Sequence, residues 1–151
     1  MKLWTVLAAV ALLPAPALAQ KVSLTSEAFV ERVTTDAAGK QTVTLEPPKV
    51  VTPGDVVVFV LTYENATANA ANDFAVNNPL PESIELIAAG NDPLYSIDGK
   101  TFGTLASLRV PVAGAAPRNA TAADVRHLRW TFAKPIAAGA KGTLRFRGRV
   151  R

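Results

Sequence analysis

The sequence predicts an all-β protein, built as an antiparallel β-sandwich, and three observations support this fold class. The longest apolar run beyond the N-terminal region covers residues 56–65; it is rich in valine and contains neither glycine nor proline, which favours a strand. Further short apolar segments follow, separated by turns that contain proline or glycine. No segment after residue 20 repeats its apolar residues with the period of a helix. Strands at this spacing are typical of two packed sheets.

The N-terminus has the three parts of a secretory signal peptide. Lys2 supplies a positive charge, residues 3–13 are apolar, and Ala17 and Ala19 form a small-residue cleavage site. An apolar part of about 11 residues is too short to span a bilayer, which takes roughly 20. We therefore expect a helical signal peptide at residues 1–19 and a single β-sandwich domain at residues 20–151. The mature protein is expected in the periplasm or secreted, with no transmembrane segment after cleavage.

Composition narrows the classes of partner and of stabilising chemistry. Cleavage removes one lysine, so the net charge of +4 becomes +3 (4 − 1). Together with export, this modest charge argues against a nucleic-acid partner. The chain contains no cysteine, so we expect no disulfide, and the apolar core must stabilise the domain by itself.

The first part of the mature chain predicts a hairpin. Residues 22–33 predict one strand or two short ones, with Phe29 and Val33 as core residues. A turn at residues 36–40 leads to residues 41–45, whose alternating pattern places Val43 and Leu45 on one face. We expect this second strand to be half-buried and to pair with the first.

The long apolar run is expected to be the central strand, and its polar end sets its register. It follows a turn at residues 53–55. Thr62 and Glu64 should face solvent, so odd-numbered residues point inward and even-numbered residues point outward. The predicted core residues are Val57, Phe59, Leu61 and Tyr63. The outer face then carries Val56, Val58 and Val60, and this apolar face needs a cover from the chain itself, a partner or a ligand.

The second half of the chain predicts further strands and one long loop. Short strands are expected at residues 73–77 and 84–87, followed by a hairpin whose two-residue turn is Asp98-Gly99. Residues 111–123 are rich in alanine, proline and glycine and predict a long mobile loop. The last two strands are expected at residues 126–133 and 143–151. Their predicted inward-facing residues are Leu128, Trp130, Phe132, Leu144, Phe146 and Val150.

Spaced elements between residues 50 and 150 resemble the bacterial conserved repeat domain family, domain of unknown function eleven. The first group comprises the turn at residues 53–55, the alternating strand that ends at Asn65, an alanine-containing loop, and residues 74–81. The second group comprises Trp130, the turn at residues 136–139 and the start of the last strand. Asn77 departs from the family pattern, which has aspartate there, and the family occurs as tandem copies whereas this chain has one. The resemblance implies an immunoglobulin-like sandwich, an exported structural or adhesive role, and no catalytic residues.

The sequence offers little that indicates catalysis or a bound cofactor or metal. The single histidine, His127, alternates with inward residues and is expected to be exposed. None of the common nucleophile, zinc or phosphate-loop motifs occurs. Asp92 and Asp98 lie in turns that could bind calcium, but turn formation explains them better. Asn65 and Asn119 each begin a glycosylation sequon, which we discount in a chain of bacterial appearance.

One constellation of charge remains, a row of arginines on the last strand. Its members are Arg145, Arg147, Arg149 and Arg151, with Arg129 expected beside them on the adjacent strand. The simpler interpretation is a solvated face that protects a sheet edge. The alternative is a patch for an anionic polysaccharide, a lipopolysaccharide or an acidic protein, whose binding would depend on salt.

Three functions follow as hypotheses. The first is a non-catalytic, exported immunoglobulin-like module of the cell envelope, with a structural role or a role in binding proteins or polysaccharides. The second is a periplasmic ligand-binding or chaperone-like protein that uses the face of Val56, Val58 and Val60. The third, a hydrolase built on a sandwich, has no motif in its favour. The sequence leaves the oligomeric state open.

Overall fold

The computed structural model describes residues 22–151, and the predicted signal peptide at residues 1–19 lies outside them. Within this part the chain forms ten strands and one short 3-10 helix, Ala122–Asp124. The strands are β1 (Val22–Thr35), β2 (Gln41–Glu46), β3 (Val56–Asn65), β4 (Ala75–Pro79), β5 (Ile84–Ala89), β6 (Leu94–Ser96), β7 (Arg109–Val112), β8 (Ala115–Asn119), β9 (His127–Thr131) and β10 (Lys141–Val150). No helix within residues 22–151 combines the length and the apolar character that crossing a membrane requires.

The strands form three antiparallel sheets. Five strands pair in the order β2-β1-β3-β10-β5, three in the order β4-β9-β6, and β7 pairs with β8 alone. The five-stranded and three-stranded sheets bury side chains against each other in one core, which gives the fold its sandwich-like character. The buried core residues are Leu61, Val76, Leu80, Ile84, Leu86, Val125, Leu128, Trp130, Leu144 and Phe146.

The central strand has the predicted register. Leu61 is 1% exposed, and Phe59 and Tyr63 pack against the buried core. Phe59 stacks on Phe146 of β10 with ring centroids 4.5 Å apart. The odd-numbered side chains of β3 therefore face the other sheet, as the polar end of the strand predicted.

The predicted core residues of the first strand are wrong. β1 is one continuous strand of 14 residues, and its buried residue is Val30, whereas Val33 is 55% exposed. Phe29 pairs with Val58, on the outward side of the sheet, while Val30 pairs with Val57 on the inward side. Because side chains alternate along a strand, Phe29 and Val33 share the face that points away from the core.

The hairpin of β1 and β2 forms as predicted, but β2 is not half-buried. All six residues of β2 are exposed, and β2 pairs only with the end of β1 that extends past β3. No second sheet among the described strands therefore lies beneath the apolar residues Val43 and Leu45. Alternation shows that they share one face of a strand; it does not show whether anything covers that face.

The two connections in the second half differ from their predictions. Tyr95 pairs with Gly103 through two backbone hydrogen bonds, so the Asp98-Gly99 turn is not a two-residue hairpin but part of a longer connection. Residues 111–123 are not a long loop, because β7 and β8 form a hairpin there. Gly114 lies at the tip with φ of 71°, a conformation that glycine adopts without strain.

Candidate functional site: the outer face of the five-stranded sheet

The two surfaces singled out in the sequence are one surface in the structure. Arg145, Arg147 and Arg149 alternate with buried residues of β10 and are exposed on the outward side of the sheet. β10 pairs directly with β3, and each of these arginines lies opposite one of the outward-facing valines. We call this surface, made by β1, β3, β10 and the adjoining β5, the outer face. Its residues are Glu27, Phe29, Glu31, Val56, Val58, Val60, Glu85, Arg145, Arg147 and Arg149.

An ion pair crosses the middle of the outer face. Nε and Nη2 of Arg147 donate hydrogen bonds of 2.6 and 2.7 Å to the two carboxylate oxygens of Glu31 on β1. The pair spans β3, which lies between β10 and β1. The hydrogen bonds to Glu31 raise the pKa of the Arg147 guanidinium above its ordinary value. Two parallel bonds of this kind fix the geometry of both side chains as well as joining their charges.

The outer valines are covered by this chain. Val58 is 6% exposed and Val60 9% exposed, although no other sheet formed by residues 22–151 packs on this side. Their direct neighbours across the strands are Phe29 and Arg147 for Val58, and Glu27 and Arg145 for Val60. Long charged side chains cover apolar surface with their methylene groups while their ends stay in water. The outer face is therefore not an open apolar groove.

The arginine row is shorter than predicted. Arg129 lies on β9 in the three-stranded sheet, where it donates a hydrogen bond to Asn77 and stacks over the ring of Phe102. Arg151 follows the end of β10, and its guanidinium contacts Glu85 and the carbonyl of Ala123. The edge-protecting interpretation is also wrong, because β10 lies between β3 and β5 inside the sheet.

Glutamates balance the arginines on this face. Glu27 of β1 and Arg145 of β10 both pair with Val60, one on either side of it. Glu85 of β5 pairs with Arg149, and Glu31 is bound to Arg147. Sequence reasoning found the arginines, which lie on one strand, but missed the glutamates, which come from two other strands. Only strand pairing brings the two sets together.

The single histidine is half-buried and not exposed as predicted. Its Nδ1 atom is buried and has no hydrogen-bond partner among the described residues. The ring lies against Gly99, where an added Cβ would be 2.9 Å from the Cε1 atom. Within residues 22–151 no three residues among His, Cys, Asp and Glu cluster in a way that could hold a metal ion.

Asp98 stabilises the Asp98-Gly99 turn by accepting hydrogen bonds from its neighbours. Its Oδ1 atom accepts hydrogen bonds from the backbone N–H groups of Lys100 and Thr101, both 2.8 Å long, and from the hydroxyl of Ser96. The two backbone N–H groups, followed by the Ser96 hydroxyl, hold the pKa of Asp98 well below its ordinary value of 3.8. Turn formation accounts for this residue, as the sequence indicated.

A second set of hydrogen bonds joins two loops that lie far apart in sequence. Asn65 is completely buried, and its Nδ2 atom donates hydrogen bonds to the carbonyls of Asn69, Ile136 and Ala137. Its Oδ1 atom accepts hydrogen bonds from the N–H and hydroxyl of Thr67. We call this arrangement the Asn65 brace. The sequon at this position is thus a structural element, and the only hint of it in the sequence was the asparagine that closes the long strand.

A cleft of about 350 Å³ opens near one end of the sandwich. Tyr63, Trp130 and Phe132 form its aromatic wall, and Asn91 and Lys134 are among its polar residues. The ring centroids of Tyr63 and Phe132 are 4.9 Å apart in an edge-to-face arrangement. Sequence reasoning placed these aromatic residues in the core, and they also belong to it or pack against it.

No family model matches the chain, and no curated protein or solved structure is detectably similar to it.

Proposed function

We propose that this protein is a non-catalytic, exported immunoglobulin-like module of the cell envelope, periplasmic or secreted, that serves a structural role or binds another envelope component. The observation that carries the proposal is the Asn65 brace. It joins, by hydrogen bonds, two of the sequence elements on which the resemblance to the bacterial conserved repeat domain family rests: the asparagine that ends the central strand and the turn at residues 136–139.

The brace supports the resemblance because it gives those elements a shared physical role. The N–H of Asn65 donates to the carbonyl of Ala140, and the N–H of Gly139 donates to the carbonyl of Asn65. Ala71 and Ile136 add a pair of backbone hydrogen bonds beside it. If the resemblance reflected composition alone, we would not expect these residues, which are far apart in sequence, to be in contact.

The use made of the carboxylates supports a module without catalysis. Asp55 accepts hydrogen bonds from Thr52 and Arg32, and Asp124 accepts hydrogen bonds from Arg118 and Thr121. Each has a lowered pKa, caused first by the Thr52 backbone for Asp55 and by the Arg118 side chain for Asp124. General acid–base catalysis near neutral pH favours carboxylates with raised pKa values. The pKa values of Asp55 and Asp124 are instead lowered, and both carboxylates stabilise turns by accepting hydrogen bonds.

A protein partner is better supported than an anionic polysaccharide or a ligand on the valine face. Glu27, Glu31 and Glu85 lie among the arginines of the outer face and would repel a polyanion. Val58 and Val60 are buried, so two of the three valines on which the ligand-binding or chaperone-like alternative rests are not open to a ligand.

Export is tested by expressing the full-length chain in a Gram-negative host. The mature protein should be found outside the cytoplasm with Gln20 as its first residue. The variant Ala19→Arg, which removes the small residue at the cleavage site, should accumulate uncleaved. Retention of the full-length wild-type protein in the cytoplasm would contradict the proposal.

Envelope binding is tested by a pull-down from envelope extract with the mature protein as bait, over a range of salt concentrations. We expect a retained protein partner whose recovery falls as salt rises. The matched bait Lys100→Glu/Lys134→Glu alters two exposed lysines outside the outer face and should retain the same partner. Recovery of no partner at any salt concentration counts against an interaction role.

A further inference from the structure

The outer face is arranged in three columns that run along the strands. β1 supplies a glutamate column of Glu27 and Glu31, and β10 supplies an arginine column of Arg145, Arg147 and Arg149. The valine column of β3 lies between them. Strand pairing sets the position of each residue along the strand axis, which we call its height. Glu27 and Arg145 both pair with Val60, so they have the same height and lie on opposite sides of it.

We propose that the outer face binds the outer face of a second copy of this chain, related by a two-fold axis that lies along β3 in the plane of contact. Rotation about this axis exchanges left and right and leaves the height along the strand unchanged. It therefore places Arg145 of one copy over the partner's Glu27, and Glu27 over the partner's Arg145. An axis across the strands would instead place arginine over arginine.

The charged residues that this arrangement would join have no ion-pair partner within their own chain among the described residues. This is true of Glu27 and Arg145, and also of Arg149. The ion pairs on this side of the sheet join other residues: Arg147 with Glu31, Lys141 with Glu64, and Arg151 with Glu85. The distance between β1 and β10 is two strand spacings, roughly 10 Å, and within one chain Arg145 and Glu27 leave this gap unbridged. A facing copy supplies each with an opposite charge at its own height, which is the self-complementarity that a two-fold interface requires.

The face supplies about three quarters of the area that a standard dimer interface needs. Three strands about ten residues long and the shorter β5, spaced about 4.8 Å apart, cover roughly 600 Å², against about 800 Å² per partner in an interface of standard size. Apolar surface is also available on the same side. Phe29 and Val56 are only partly buried, and Val33, Val43 and Leu45 are exposed where the hairpin of β1 and β2 extends from the sheet.

The charge balance favours a copy of the same chain over other partners. The three arginines of the face are balanced by Glu27, Glu31 and Glu85, and Arg151 at the end of β10 also contacts Glu85. The face therefore carries too little net charge to attract a polyanion or a polycation strongly. Its charges are instead sorted by sign to either side of one strand. A surface that is nearly neutral in sum and has its charges separated by sign in this way is complementary to itself under the rotation described.

Charge reversal across the two-fold axis tests the proposal, with mass measured by light scattering or sedimentation on the purified mature protein. The wild type should form a dimer that weakens as salt rises. Glu27→Arg and Arg145→Glu alone should each weaken dimerisation by roughly tenfold or more, because each places two like-charged pairs in the interface. The double variant Glu27→Arg/Arg145→Glu should restore the dimer, since both pairs then have opposite charges again.

Mixing the two single variants gives an independent outcome. A mixed dimer has Arg145 of one chain facing the partner's Glu27, and the introduced Arg facing the introduced Glu, so mixing should recover the dimer that neither variant forms alone. The matched controls Glu82→Arg and Lys134→Glu, which lie outside the face, should dimerise as the wild type does. A wild type that stays monomeric at about 1 mM, where an interface worth only ~4 kcal/mol would be visible, overturns the proposal. So do single variants that, folded by circular dichroism, dimerise as tightly as the wild type.

Discussion

The Nδ2 atom of Asn65 donates a hydrogen bond of 2.9 Å to the carbonyl of Ile136, a residue 71 positions later in the chain. The same atom also donates to the carbonyls of Asn69 and Ala137. One buried amide therefore holds together the end of β3, the loop that follows it and the turn that precedes β10.

The first prediction concerns this brace. Asn65→Ala removes all five side-chain hydrogen bonds of a fully buried residue. At a net ~0.5–1.5 kcal/mol for each bond, this should lower the free energy of unfolding by about 2–4 kcal/mol. Urea denaturation measures this. Asn119→Ala, at the exposed asparagine of the other sequon, is the matched control and should change stability by less than about 0.5 kcal/mol. An equal effect at the two positions would show that the brace contributes nothing special.

The second prediction distinguishes two valines of β1. Val30→Ala deletes two buried methyl groups at ~0.8 kcal/mol each and leaves a cavity, so it should destabilise the fold by about 2 kcal/mol. Val33→Ala alters an exposed side chain on the other face and should cost less than about 0.5 kcal/mol. Unfolding curves of the two variants, recorded at low protein concentration, give the comparison. The reverse order of the two effects would mean that β1 faces the core with its odd-numbered residues.

The third prediction concerns two glycines near the sheet edge. A Cβ at Gly148 would collide with the Cγ2 atom of Ile84, whereas a Cβ at Gly90 would lie 3.7 Å from its nearest neighbour, in ordinary contact. Gly148→Ala should therefore destabilise the protein by about 1–3 kcal/mol, and Gly90→Ala should leave stability unchanged or raise it by up to about 1 kcal/mol. Thermal unfolding of both variants tests this. A neutral Gly148→Ala would mean that β5 moves away from β10 at little cost.

The fourth prediction is a dependence of stability on pH. The pKa of Asp98 is lower in the folded protein than its ordinary value of 3.8, first because of the Lys100 and Thr101 N–H groups. A carboxylate of this kind stabilises the fold above its unfolded pKa, and the contribution is lost as pH falls below about 4 toward the folded pKa. Stability of the wild type should thus fall in that window, and Asp98→Asn should fall less steeply.

Glu82→Gln serves as the control for the acid series. Glu82 is exposed and its side chain makes no hydrogen bond among the described residues, so its removal should leave the acid slope as it is in the wild type. Unfolding free energies measured from pH 5 to below pH 3 compare the three proteins. If Asp98→Asn keeps the full wild-type slope, the hydrogen bonds of Asp98 do not stabilise the fold.

The predicted arrangement of the outer-face residues was half right. Alternation correctly placed Arg145, Arg147 and Arg149 opposite the buried side of β10, and Val56, Val58 and Val60 opposite the buried side of β3. It could not show that the two sets share one surface, because that requires β10 to be the neighbour of β3. The prediction that Arg129 lies beside these arginines was wrong for the same reason, because β9 is near β10 in sequence but belongs to the other sheet.

The sequence by itself determined the class of fold, the central strand and the direction of most of its side chains. These follow from local chemistry: β-branched runs favour extended backbone, and the period of two decides which side chains share a face. Tertiary structure alone decided which face was covered, which strands became neighbours, and which distant residues met. Val33 was exposed, Glu27 and Arg145 came level across Val60, and Asn65 reached Ile136 because of strand order and register, which depend on packing between segments far apart in the chain.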